Sequence, residues 1–187
     1  MFADLRGSLA VLSGVDPEDC QLLLDSVIGA MVEAVHRYEG AVIQVMGDGI
    51  MALFGAPIAH EDHALRAACA ALAMQDAVRA LRDPSWEARG ATPQIRVGLH
   101  SGEVAIRAVR NDLSMDYRAV GPTTRIAARM EQIAPPGAAW MTDVTVKLGQ
   151  GRLRTTPVGP GCDAWVKCVP VGYRRAVAGC MTRIARA

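Results

Sequence analysis

The sequence predicts an α+β domain, because short apolar runs typical of strands occur between longer stretches that carry apolar residues at helical spacing. Two short runs, 41–46 and 50–54, flank Gly47-Asp48-Gly49, a pattern that predicts a β-hairpin with a tight turn. Residues 16–40 and an alanine-rich stretch from His60 to about Arg82 predict helices.

The first predicted helix is delimited by its end residues. Asp16 is the expected N-cap, Pro17 stands in the first turn, and Gly40 ends the run. Its apolar residues recur at the spacing of one helix face, which favours burial in the core and leaves a dimer face as the alternative: Leu23, Val27, Ala30, Met31 and Ala34.

The second predicted helix opens on His60-Glu-Asp-His63, two histidines at a spacing that metal sites also use. Acidic residues at a helix start complement the helix dipole. We therefore interpret Glu61 and Asp62 as capping residues and favour a structural role for both histidines.

The second half of the chain predicts further strands. Residues 95–100 alternate as a strand, Ser101-Gly102 forms a turn, and residues 103–109 return, which predicts a second hairpin. We interpret His100 as a sheet residue with satisfied hydrogen bonds rather than a catalytic base. Residues 115–120 form a short strand that leads to Gly121.

Gly121 introduces a helix that Pro135-Pro136-Gly137 stops. A helix N-terminus that follows a glycine, with Thr124 in its first turn, favours phosphate binding. Arg125 and Arg129 are four residues apart and so lie on one helix face, where a solvated basic surface is the alternative interpretation.

Asp48 lies between two glycines, so a hard cation and a polyphosphate can approach its carboxylate closely. Asp-Gly turns are also common without any function. A second acid, Asp4, shifts the balance towards a metal site.

Four segments carry a family resemblance. Phe2-Ala-Asp-Leu-Arg-Gly-Ser8, Gln44-Val-Met-Gly-Asp-Gly-Ile-Met-Ala52, Val97-Gly-Leu-His-Ser-Gly-Glu103 and Asp116-Tyr-Arg-Ala-Val-Gly-Pro-Thr-Thr-Arg-Ile-Ala-Ala-Arg-Met-Glu131 resemble the motifs of class III adenylate/guanylate cyclase catalytic domains of bacterial type, in the same order. The resemblance implies a mainly antiparallel sheet, ferredoxin-like at its centre, with helices packed on one face. It covers residues 2 to about 142, and residues 150–187 match the family's closing strands loosely.

The resemblance also implies a site. The metal ligands would be Asp4, Asp48 and the backbone carbonyl of Leu5, which would hold two Mg²⁺ or Mn²⁺ ions. The catalytic positions would be Arg129, which would stabilise charge on the transferring phosphate, and Arg125. The remaining substrate contacts would come from Gln44, Gly47, Arg118 and Thr124.

Three of these positions depart from the family pattern. Gln44 stands where the family has an adenine-reading lysine, Arg118 where it has the partner of that lysine, and Arg125 where it has a ribose-orienting asparagine. An amide and a guanidinium can still meet a purine, but not with the adenine pattern of donors and acceptors.

The implied function is a purine-nucleotide cyclase that converts a nucleoside triphosphate, ATP in preference to GTP, into the 3′,5′-cyclic nucleotide and pyrophosphate. The implied assembly is a homodimer with composite active sites. The first alternative is a catalytically silent cyclase-like module that dimerises or senses nucleotide. Another two-metal phosphotransferase is less consistent with residues 125–129.

Composition sets further bounds. We expect a single domain over residues 1–187 with a short first strand, since only three residues precede Asp4. A net charge of +1 argues against a nucleic-acid partner, and no apolar run is long enough for a membrane segment, so we expect a cytoplasmic protein. The five cysteines lack paired metal-ligand spacing and are expected to be reduced.

Overall fold

The computed structural model describes residues 1–7, 16–81, 86, 92–111, 114–149, 151–157 and 166–168. In this part of the chain four helices and nine strands are defined. The helices are α1 (Pro17–Arg37), α2 (His63–Ala80), α3 (Pro122–Ile133) and α4 (Asp143–Leu148). The strands are β1 (Phe2–Leu5), β2 (Ala41–Met46), β3 (Gly49–Leu53), β4 (Ile95–Leu99), β5 (Ala105–Asn111), β6 (Ser114–Val120), β7 (Ala139–Met141), β8 (Thr155–Pro157) and β9 (Val166–Cys168).

The first six elements form a ferredoxin-like unit, which confirms the predicted fold class. They follow one another as β1, α1, β2, β3, α2 and β4, and their strands lie in the order β2-β3-β1-β4 with antiparallel neighbours. β7, β9 and β8 extend this sheet beyond β4, and the β4–β7 pair is parallel.

The main core lies between one face of the sheet and helices α1 and α2. Ile95, Val97 and Leu99 of β4 are buried in it. The predicted apolar stripe of α1 packs on the same core, with Leu23, Val27, Met31 and Ala34 buried. The stripe therefore belongs to the core of this chain. The alanine-rich composition of α2 lets this helix pack closely against both α1 and the sheet.

Helix α3 departs from the predicted arrangement, because it lies on the opposite face of the sheet from α1 and α2. A side chain at position 98 would point to the opposite face of the sheet from the side chains of Val97 and Leu99. A Cβ built on Gly98 would lie 2.1 Å from the backbone nitrogen of Glu131 and 2.4 Å from the carbonyl oxygen of Ala127. The backbones of α3 and β4 are thus in direct contact. The predicted packing of helices on one face therefore holds for α1 and α2 but not for α3.

The predicted hairpin between residues 95–100 and 103–109 is wrong. β4 pairs with β1 and β7, whereas β5 pairs with β6 in a separate two-stranded sheet. The chain after β4 passes against the start of α3, where Thr123 Oγ1 donates a hydrogen bond to the carbonyl of Glu103 at 2.6 Å. This contact directs the segment away from β4.

Strand β1 lies in the middle of the sheet and pairs on both sides. Its ladder extends to Met1, whose backbone exchanges hydrogen bonds with Ala52. The next positions along the two neighbouring strands, Leu53 and His100, line a cavity of about 290 Å³.

Within the described ranges, no helix combines the length and apolar character needed to cross a bilayer. Of residues 150–187, which loosely match the family's closing strands, the described part comprises 151–157 and 166–168.

We predict that Gly98→Ala destabilises the protein by about 1–3 kcal/mol or more, because the new methyl group would overlap backbone atoms that cannot rotate away. Chemical denaturation followed by circular dichroism measures the change. Gly29→Ala is the matched control, since a Cβ at this position of α1 meets no atom within 4 Å and should stabilise the helix by roughly 0.5–1 kcal/mol. Equal stability of the two variants would contradict the direct contact between β4 and α3.

Candidate active site

Two carboxylates meet where β1 passes the tip of the β2–β3 hairpin. Asp4 is paired in register with Gly49, and the backbone N–H of Leu5 donates to the carbonyl of Asp48 at 3.2 Å. The carboxyl group of Asp48 lies close enough to that of Asp4 to raise the pKa of Asp4. The structure therefore brings together the three predicted metal ligands, Asp4, Leu5 and Asp48.

Two glycines shape this tip. Gly47 has φ +63°, which suits the first central position of a two-residue type II′ turn, where glycine is strongly preferred. A Cβ at Gly49 would lie 2.7 Å from the carbonyl oxygen of Ala3 and 3.0 Å from Asp4 Oδ1. Gly49 thus allows the hairpin to approach the Asp4 carboxylate closely.

Arg96 of β4 lies on the other side of Asp4. Its Nη2 atom is 2.9 Å from Asp4 Oδ2 and 2.8 Å from Glu131 Oε1, and its Nη1 donates to the carbonyl of Gln132 at 3.2 Å. Neither Arg96 nor Glu131 is among the site residues that the sequence predicts. The sequence contains only a weak indication of Arg96. This residue alternates with buried Ile95 and Val97 and so faces away from the main core. Which residue lies next to it across the sheet depends on strand pairing, which the local sequence does not give.

The charges of this cluster act against one another. Burial raises the pKa of Asp4, its hydrogen bond with Arg96 lowers the pKa, and the nearby negative charge of Asp48 raises it again, with a net upward shift. Burial likewise raises the pKa of Glu131, against the effect of Arg96. The two aspartates therefore form a partly desolvated pair that Arg96 neutralises incompletely.

This donor set suits Mg²⁺ or Mn²⁺, which prefer carboxylate and carbonyl oxygens. Among the described residues there is no cluster of three or more His, Cys, Asp or Glu side chains that would enclose a metal ion. Two carboxylates and one carbonyl instead leave coordination positions for water and for phosphate oxygens of a substrate.

The two predicted catalytic arginines lie elsewhere on α3. Arg125 and Arg129 are exposed, whereas Glu131, on the same helix, is buried against Arg96. Successive helical residues are about 100° apart, so Arg129 and Glu131 point about 200° apart around the axis. The structure therefore does not bring Arg129 to the carboxylates of its own chain.

The predicted substrate contacts lie around the same sheet face. Gln44 is exposed on β2, opposite Met51, and the backbone of Arg118 lies in β6, a strand that contacts β2. Gly47 is exposed in the hairpin turn. Thr124 lines the cavity beyond Met1 and donates to the carbonyl of Gly121 at 2.9 Å.

The histidines have structural surroundings. His100 Nδ1 is 2.7 Å from Thr142 Oγ1, and burial lowers its pKa. His60 Nε2 is 3.3 Å from Glu39 Oε2, and His63 Nδ1 is 3.0 Å from the carbonyl of His60. These contacts agree with a structural interpretation of the three side chains.

The chain is similar to a known protein family. Residues 1–161 match the model of the adenylate and guanylate cyclase catalytic domain. The chain is 27% identical over 178 residues to adenylate cyclase 1 of Rhizobium meliloti (strain 1021), a match that covers 94% of this chain and 25% of that protein. It is 28% identical over 136 residues to the guanylate cyclase soluble subunit beta-2 of Rattus norvegicus, covering 73% of this chain and 19% of that protein.

The crystal structure of the guanylyl cyclase Cya2 superposes with a TM-score of 0.78 at 27% identity and covers 91% of this chain and 90% of that one. The two curated relatives are much longer than this chain, which spans 25% and 19% of their lengths. The matched residues 1–161 span both the carboxylates at the hairpin and the arginines of α3. The chain belongs to the family of adenylate and guanylate cyclase catalytic domains.

Proposed function

We propose that this protein is a purine-nucleotide cyclase that converts ATP into 3′,5′-cyclic AMP and pyrophosphate with two divalent cations. The observation that carries the proposal is the position of Asp48 beside Asp4 at the hairpin tip, with the open coordination described above. In this reaction the ribose 3′-oxygen forms a bond to the α-phosphorus, the bond from that phosphorus to the bridging oxygen of the β-phosphate breaks, and the 3′-hydroxyl proton passes to water.

The residues of this chain have separate tasks in the proposed reaction. Asp4 and Asp48, with the carbonyl of Leu5, hold two Mg²⁺ or Mn²⁺ ions, which when bound supply activation of the 3′-oxygen and neutralisation of the pyrophosphate. Arg129 stabilises the charge that develops on the transferring phosphate, a task that suits a permanently charged planar donor. Arg125 pairs with another phosphate oxygen.

We infer that the active unit is a homodimer. Arg129 lies on the exposed side of α3, about 200° around the helix from Glu131, which is buried beside its own metal-binding carboxylates. A two-fold axis would place the exposed arginines of one subunit against the carboxylates of the other. Each site would then take its carboxylates from one chain and its arginines from the partner.

The preference for ATP rests on sequence similarity rather than on a complete base-recognition pattern. Similarity to an adenylate cyclase along 94% of the chain supports ATP. Gln44 can present its amide as donor or acceptor, and Arg118 donates only. These two positions would accept both purines and discriminate weakly.

A second candidate function is a silent cyclase-like module that dimerises or binds nucleotide for a partner. It is favoured by the arginine at position 125 and by the contact between Arg96 and Asp4, which places a positive charge at the proposed cation site. Turnover of neither ATP nor GTP by the purified chain with Mn²⁺ would select this candidate.

We predict that Asp48→Ala lowers cyclic AMP formation by roughly a hundredfold or more while the fold persists, because the carboxylate binds cation and the residue lies in a turn outside the core. Chromatography of the products and a circular dichroism melt measure the two effects. Asp76→Ala, which removes an exposed carboxylate paired with Arg79, is the control and should retain activity. Undiminished turnover by Asp48→Ala would remove the metal assignment.

We also predict weak purine discrimination, because Gln44 adapts to either base and Arg118 accepts no hydrogen bond. The ratio of kcat/KM for ATP to that for GTP, measured with the same cation, should stay below about a thousandfold. A larger ratio would require several well-placed hydrogen bonds and would show that other residues read the base.

Composite sites predict complementation between inactive variants. Asp48→Ala and Arg129→Ala should each be inactive alone, since every site in either homodimer lacks one component. After random subunit exchange about half of the dimers are mixed, each with one intact site of two, so activity should recover to roughly a quarter of wild type. Native mass spectrometry confirms the exchange. If mixed dimers form without any recovery, the composite site is wrong.

A further inference from the structure

We propose that Glu131 is a positioning residue of the cation site: it takes up the charge of Arg96, so that Arg96 does not exclude a divalent cation from the Asp4 carboxylate. This inference rests on the proposed two-cation function. Glu131 belongs to α3 and has no place among the predicted ligands, and its effect on the cation passes through Arg96.

The geometry places Arg96 between two carboxylates. One nitrogen, Nη2, is 2.9 Å from Asp4 Oδ2 and 2.8 Å from Glu131 Oε1, and the side chains of Arg96 and Glu131 are only 18% and 11% exposed. Asp4, at 32%, is more accessible than either. A cation can therefore reach Asp4 while the Arg96–Glu131 pair stays inside.

The pair is not arranged as a fully satisfied structural salt bridge. Among the described residues, Arg96 Nε has no hydrogen-bond partner, and Glu131 Oε1 is close to Arg96 without an aligned hydrogen bond. A guanidinium that served stability alone would be expected to use its donors more completely. The incomplete bonding fits an arginine shared between two acids.

Glu131 cannot easily move away from Arg96, because α3 rests directly on β4. The backbone of Glu131 lies against Gly98, two residues along the strand from Arg96 and on the same face of the sheet. The negative charge of Glu131 is thus held beside Arg96 by backbone packing. Without it, the whole positive charge of Arg96 would act on Asp4 and on any cation bound there.

The test measures Mn²⁺ binding to the purified chain without nucleotide, by electron paramagnetic resonance of the free ion. Glu131→Gln should raise the Kd for Mn²⁺ about tenfold, because Arg96 is then neutralised by Asp4 alone. Arg96→Gln should leave the Kd unchanged or lower it, because the repelling charge is gone. The double variant should return to within about threefold of wild type, which a purely structural role of the pair does not predict.

Glu33→Gln is the matched control, since it removes the same charge from an exposed ion pair with Arg37 on α1 and should leave the Kd unchanged. A Kd of Glu131→Gln equal to that of Glu33→Gln would overturn the inference, and so would a double variant as weak as Glu131→Gln. If Glu131→Gln does not fold, Arg96→Gln decides, and weaker Mn²⁺ binding by that variant refutes the proposal. Wild-type binding no stronger than that of Asp48→Ala would instead reject the two-cation function itself, and the inference with it.

Discussion

The register of β1 between β3 and β4 is the constraint on which the candidate site depends. It places Asp4 opposite Gly49 on one side and Arg96 on the other. Because successive strand residues point to opposite faces, a slip of one residue would turn Asp4 into the core and bring buried Ala3 or Leu5 to the site. The apolar residues of β1 therefore fix the position of its carboxylate, and stability and function share one determinant.

Two close backbone approaches complete this geometry. Gly49 lets the hairpin tip pack against the carbonyl of Ala3 and the carboxylate of Asp4, and Gly98 lets α3 rest on β4 at Glu131. Neither contact leaves room for a Cβ. The distances among Asp4, Arg96 and Glu131 are thus set by the main chain as well as by flexible side chains, which preorganises the cluster.

Local pattern predicted most elements of this fold but not their partners. The turn at Gly47-Asp48 and the start of α3 after Gly121 were evident because they depend on neighbouring residues. The pairing of β4 with β1 was missed, since the Ser101-Gly102 turn signal suggests a hairpin and nothing local indicates that α3 diverts the chain. Arg96 and Glu131 were missed for the same reason: their contact joins residues 35 positions apart through tertiary packing.

Helix α3 has two faces with different tasks. Ala127, Met130 and Glu131 are buried, and Glu131 meets Arg96 beside the carboxylates of its own chain. Arg125 and Arg129 are exposed. If they lay on the sheet side of α3 instead, their guanidinium groups would be desolvated and would offer positive charge to the carboxylates of their own chain. A helix that keeps its acid inside and its arginines outside fits the proposal that the carboxylates of one chain meet the arginines of another. Together with the roles that the family resemblance gives these arginines, the orientation of α3 is therefore a structural reason to expect composite sites.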